Sequence, residues 1–144
     1  MKLMKIADVP PTMVSPAATV REAVHAMVQN RVGAVAVVEQ DVLMGIFTER
    51  DVMIRVVLAK LDPDQTTVAE VMTTAIVTIT PETKPGDALS LMVDRHIRHL
   101  PITNGNHRIL GMVSIRNLLQ RRVEDLSHEL EGLETYLTAD GIGG

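Results

Sequence analysis

The chain repeats itself. Sliding it by 65 positions sets Val14–Val38 on Ile79–Thr103, so that Pro16 meets Pro81, Ala23 meets Ala88, and Met27-Val28 meets Met92-Val93. One inserted residue later, at a shift of 66, Gly45 meets Gly111, Arg50 meets Arg116 and Arg55 meets Arg121. A repeat of this length is one supersecondary unit used twice, and it restricts the fold to arrangements in which the two copies share a core. Within 144 residues there is room for that pair and little else.

Each copy reads the same way. Ser15-Pro16 and Thr80-Pro81 precede helical patterns at Val20–Gln29 and Gly86–Arg95, where apolar residues recur at helical spacing. Thr19 stands at a cap position and Pro85 at a first-turn position. Two strands follow in each copy, Gly33–Val38 with Leu43–Thr48 and His99–Thr103 with Ile109–Ser114. Glu39-Gln40-Asp41 is the expected turn of the first pair. Asn104-Gly105 is a strong hairpin signal in the second, since both residues tolerate positive φ. A closing helix begins near Asp51 and near Asn117, and Leu61–Thr67 connects the copies. The expected fold is α/β (α+β), a β-α-β-β-α unit used twice. The first repeat spans 1–61, the second 62–120, and a C-terminal heptad helix with a flexible tail spans 121–144.

Composition removes several function classes. Phe47 and Tyr136 are the whole aromatic stock, so base-stacking platforms are missing, and a net charge of −4 disfavours phosphate-backbone binding. No nucleic-acid partner is expected. There are no cysteines, which excludes disulfides, thiolate metal sites and thiol nucleophiles. No apolar run reaches the roughly 18 residues of a membrane span, and the N-terminus lacks the apolar stretch of a secretion signal. No membrane association is expected, and the expected location is the cytoplasm. Residues 1–117 are formally neutral, and the whole net charge lies in 118–144.

Both copies resemble the cystathionine-beta-synthase (CBS) domain, and the chain resembles a stand-alone CBS pair, or Bateman module. The resemblance covers about residues 1–120. It is carried by Arg98-His99-Leu100-Pro101-Ile102 and by two stretches running from a glycine into a helix, Gly45-Ile46-Phe47-Thr48-Glu49-Arg50-Asp51 and Gly111-Met112-Val113-Ser114-Ile115-Arg116-Asn117. The resemblance implies pseudo-twofold packing of the repeats, adenosine nucleotides bound in the clefts between them, and a flat homodimer joined through helical faces.

Thr48 ends a strand and Asp51 falls in the first helical turn. That spacing is a capping pair in any fold. It also presents a carboxylate suited to accept hydrogen bonds from both hydroxyls of a ribose. The two roles can coexist. In the second copy Ser114 and Asn117 take these places, and an amide offers one neutral acceptor oxygen instead of two charged ones. Arg95, His96, Arg98 and His99 gather basic groups within five positions. No third ligand lies near the two histidines, so no metal is expected.

By the resemblance, Arg98 and His99 would reach the phosphates of a nucleotide whose ribose is held by Thr48 and Asp51. Ile46 and the strand Ile76-Val77-Thr78 would line its adenine slot, and Arg50 would also reach the phosphates. A weaker second site would use Thr12, Met13, Met112, Ser114 and Asn117. Its counterpart of Arg98-His99 is Gly33-Ala34, which carries no charge. The expected function is therefore a regulatory, non-catalytic sensor of an adenosine nucleotide, AMP foremost, with no other cofactor. The alternatives are a ligand-free interaction scaffold, or an enzyme acting on a nucleotide. Against the enzyme, the G-x-S-x-G, H-E-x-x-H and P-loop patterns are missing. An unidentified downstream protein would read the signal.

The tail carries its own pattern. Leu119, Val123, Leu126, Leu130, Leu133 and Leu137 are spaced as an a/d seam over about three heptads. Such a stripe fits either a coiled coil or a helix lying on the body, and contact between subunits is the favoured reading. The Gly-Ile-Gly-Gly end is expected to be disordered.

Overall fold

A computed structural model describes residues 2–136, so the expectations for Leu137 and the Gly-rich end lie outside the described residues. In the first repeat, β1 (Met13–Val14) leads to α1 (Val20–Asn30), followed by β2 (Ala34–Glu39) and β3 (Val42–Thr48). A short helix α2 (Glu49–Asp51) continues as a π-helical stretch, Val52–Val57. Directly after the connection stands a helix that the sequence patterns do not signal, α3 (Val68–Val71). The second repeat contributes α4 (Pro85–Arg95), β4 (His99–Thr103), β5 (Ile109–Ser114) and the long α5 (Ile115–Tyr136).

The local signals act where the sequence put them. Thr19 Oγ1 accepts from the Glu22 N–H to cap α1, and Pro85 opens α4. Both closing helices start two residues earlier than expected, at Glu49 and Ile115. Helices α1 and α4 end on left-handed residues at equivalent places, Arg31 (φ 54°) and His96 (φ 55°). The two β-hairpins carry equivalent bulges, between Val37 and Val38 and between Ile102 and Thr103. These matched irregularities are the structural form of the repeat.

The first turn falls within Glu39–Asp41 as expected, and both hairpin turns adopt conformations the sequence does not signal. The first hairpin uses a two-residue loop, with positive φ at Gln40 (51°) and Asp41 (66°), the conformation of a type I′ turn without glycine. In the second, Gly105 has no positive φ, and the left-handed residue is His107. Asn104 works through its side chain instead, Oδ1 accepting from the N–H groups of Asn106 and Arg108. An Asx turn therefore replaces the expected tight turn.

The first strand of the second repeat also differs. Met13 and Val14 pair with Ala36 and Val37 in parallel, but Ile76-Val77-Thr78 forms no strand, and only Ile79 bridges to Ile102. The reason is covalent. Ala36 donates its N–H to the Thr12 carbonyl at 2.9 Å, whereas its counterpart Pro101 has no N–H to give Val77.

Each repeat completes its core with a segment lying outside its own strands. Val68 and Val71 of α3 pack with α1, β2 and Phe47, while Leu3 packs with α4, β4 and β5. The arriving backbone runs against a glycine each time. Thr73 bridges Ile46 beside Gly45, and Asp8 bridges Met112 beside Gly111. A Cβ on Gly45 would stand 2.5 Å from Met72 Sδ and 3.0 Å from the Thr73 carbonyl, which accounts for the repeated glycine. A third apolar cluster, Ala34, Ala36, Ile46 and Met112, joins the two sheets.

Candidate functional site

A cavity of about 560 Å³ opens where the end of β3, the segment after α3 and the start of β4 converge. Ile46, Thr48, Arg50 and Asp51 reach it from the first repeat, and Ile76, Val77, Arg98 and His99 from the second. Thr78 is exposed and lies outside the lining.

Thr48 and Asp51 cap one another. The Thr48 N–H donates to Asp51 Oδ2 at 3.0 Å, and the Asp51 N–H donates to Thr48 Oγ1 at 3.2 Å. Asp51 is buried, its side chain 11% exposed, a degree of burial that an aspartate tolerates only with partners. Two of these were not anticipated. The Thr73 hydroxyl donates to Oδ1 at 3.2 Å, and Arg55 Nε stands 3.6 Å from Oδ1 while its Nη1 donates to the Met72 carbonyl. The repeat points at Arg55 through Arg121. It gives no signal for Thr73, whose counterpart is Asp8.

The opposite wall is cationic. Arg98 is exposed and His99 is half-buried. Burial, and after it the neighbouring Arg98 charge, hold the His99 imidazole below its ordinary pKa. Gly33 leaves the space between them and the first repeat open, because a Cβ there would meet Glu49 and, at 3.2 Å, His99 Cε1. Between the charged walls the lining is mainly aliphatic, with Thr73 and, beside His99, Glu49 also on it, and the Val77 carbonyl lacks the ladder donor that Ala36 supplies to Thr12. Carboxylate, apolar slot with a backbone acceptor, and basic pair therefore line a single cavity.

The second set of residues is arranged differently. Ser114 N–H and Oγ–H both donate to Asn117 Oδ1 at 2.8 Å, which occupies its acceptor oxygen twice over. The Asn117 N–H returns a bond to Ser114 Oγ at 3.0 Å. Met112 is buried against Asp8, Thr12 is tied to β2, and Met13 is exposed. The structure brings Ser114 and Asn117 together as a cap, with the uncharged Gly33-Ala34 as the counterpart of the basic pair.

Among the described residues no group of three or more metal-ligating side chains is present, and no helix is long and apolar enough to cross a membrane.

Comparison with known proteins bears on family and fold. The family model for the CBS domain matches twice, over residues 5–58 and 68–124. The mitochondrial CBS domain-containing protein CBSX3 of Arabidopsis thaliana is 39% identical over 124 residues, which is 83% of this chain; the chain spans 60% of that relative's length. A solved CBS-domain structure from Burkholderia ambifaria superposes with a TM-score of 0.78 at 28% identity, covering 87% of this chain and 96% of that one. A CBS domain protein from Pyrobaculum aerophilum, solved in complex with AMP, superposes with a TM-score of 0.73 at 25% identity over 81% of this chain and 89% of that one.

Proposed function

The chain belongs to the CBS-domain family as a tandem pair, and on that premise we propose that it is a regulatory module that binds an adenosine nucleotide, AMP foremost, without catalysis of its own. The observation that carries this reading is the Asp51 carboxylate, buried at one end of a cavity whose other end holds Arg98 and His99. A vicinal diol fits the first, a phosphate the second, and the spacing between is apolar. The AMP complex of the Pyrobaculum aerophilum relative supports the same choice of ligand.

In this reading the ribose hydroxyls donate to Asp51, whose oxygens are pre-oriented by Thr48 and Thr73. Such charge-assisted bonds are roughly twice as strong as neutral ones. Adenine lies between Ile46 and Ile76 and donates its exocyclic amine to the Val77 carbonyl. Arg98 and His99 meet the phosphate, with Arg50 at the rim. Because ribose and phosphate are held by different repeats, occupancy fixes the angle between them. That angle is what a partner protein would read, provided the two arrangements differ in ligand affinity. The site of Thr12, Met13, Met112, Ser114 and Asn117 is the weaker one, since its amide oxygen is already taken and it has no basic pair.

The module acts as a homodimer. Exposed aliphatic side chains on α1 (Val28), α4 (Val93) and the π-helical stretch (Met53, Val57) supply helical faces for it. Equilibrium binding of a nucleotide panel, with turnover followed on the same samples, tests the reading. Saturable binding of an adenosine nucleotide without its conversion is expected. No binding at millimolar concentration would leave a scaffold, and turnover an enzyme.

A further inference from the structure

The C-terminal half of α5 leaves the body. Every residue from Leu126 to Thr135 is exposed, and the seam Leu119, Val123, Leu126, Leu130 and Leu133 is 42–65% exposed along its length. A helical segment this short is marginal in water without packing. Its apolar stripe is narrow, an a/d seam rather than the broader face that packs on a globular core.

The charges beside the seam select the partner's orientation. Val123 and Leu130 take a positions, and Leu119, Leu126 and Leu133 take d positions. The flanking g positions are then Arg122 and Glu129, and the e positions Gln120, Ser127 and Glu134. Among the described residues the ion pairs within α5 are Arg121–Asp125 and His128–Glu131, which leaves Arg122 and Glu129 for contacts outside the helix.

In a parallel pair each g position faces the following e position of the other helix. Glu129 would then meet Glu134 of the partner subunit, and by symmetry the like-charge contact occurs twice. In an antiparallel pair g faces g and e faces e. With Val123 set against Leu126 of the partner subunit, Leu119 falls on Leu130 and Arg122 faces Glu129, again twice over, while Gln120 meets Ser127. Sliding this arrangement by one heptad brings Arg122 onto Arg122 in one direction and Glu129 onto Glu129 in the other. One register is attractive and its neighbours repel, the pattern by which coiled coils reject wrong pairings. That register also overlaps nearly the whole of α5.

We propose that α5 pairs antiparallel with α5 of a second copy of this chain, with Val123 layered on Leu126 and Arg122 paired with Glu129. This rests on the homodimer reading and is independent of the nucleotide.

Charge reversal tests orientation by its sign, with dimer dissociation measured by sedimentation. E129R should weaken the dimer about tenfold at low salt, R122E likewise, and the double variant R122E/E129R should recover most of the loss. A parallel pair predicts the reverse for E129R, which would tighten by meeting Glu134. Because the chain has no cysteine, a spin label at T135C reports unambiguously. The antiparallel register separates the two labels by about 30 Å along the helix axis. Tightening by E129R, or labels about 15 Å apart, would overturn the proposal in favour of a parallel coil. A dimer indifferent to all three variants would overturn it in favour of the body faces. A chain monomeric at every concentration would overturn it together with the homodimer reading.

Discussion

The Thr73 hydroxyl donates to the Asp51 carboxylate, 3.2 Å from Oδ1, across 22 residues of sequence. It reaches there because Thr73 is bridged to Ile46 in β3, just before the Thr48 that caps the same aspartate. The segment that follows α3 is thus part of the first repeat's site. Thr73→Val keeps the shape and removes the donor, leaving a buried carboxylate short of one partner. Urea unfolding should show a loss of about 1–2 kcal/mol, while Thr74→Val, at an exposed position, should change little. Equal effects at the two positions would remove Thr73 from the site.

Gly45 and Gly132 should respond oppositely to alanine. At Gly45 the new Cβ meets Met72 Sδ and the Thr73 carbonyl, so the bridging segment must shift, at a cost of about 1–3 kcal/mol. At Gly132, within α5, nothing lies within 4 Å. There the change should stabilise the helix by about 0.8–1 kcal/mol. Helix content by circular dichroism and urea midpoints read both. A neutral Gly45→Ala would contradict the close approach.

His99 should couple binding to protons. Its folded-state pKa lies below the unfolded one, so the unfolded chain holds the proton more tightly. The stability it contributes is complete above the ordinary value of about 6.5 and is lost as pH falls from there through the depressed one. A phosphate set against the ring favours imidazolium and raises its pKa again. Calorimetry near pH 6, in buffers of different ionisation enthalpy, should therefore show more proton uptake on AMP binding for the wild type than for His99→Gln. Arg98 beside the ring and Glu49 across Gly33 are the same in both proteins and do not supply the difference. Equal uptake in the two proteins would place the phosphate elsewhere.

Much of this was legible because periodicity and covalent constraint survive in sequence. β4 and β5 fall on the expected residues, and α1 and α4 within one residue at either end, since their apolar spacing admits one period. The conformations of the hairpin turns were not, because Gln40 and Asp41 adopt positive φ without glycine, and Asn104 acts through its side chain. The loss of strand at Ile76–Thr78 follows from Pro101, a residue read only as part of a family motif. Thr73 was invisible because its role depends on a chain crossing that no local pattern encodes. The cavity gathers all the residues expected of the better site except Thr78, and nucleotide titration tests what they hold.

That measurement is calorimetric titration of AMP into three proteins: the wild type, Asp51→Ala and Asn117→Ala. Losing a buried charged acceptor for a diol should cost about 2–3 kcal/mol, or roughly 30- to 150-fold in Kd. Asn117→Ala should change affinity by less than about threefold. A wild type that does not bind, or an Asn117→Ala more damaging than Asp51→Ala, would contradict the account.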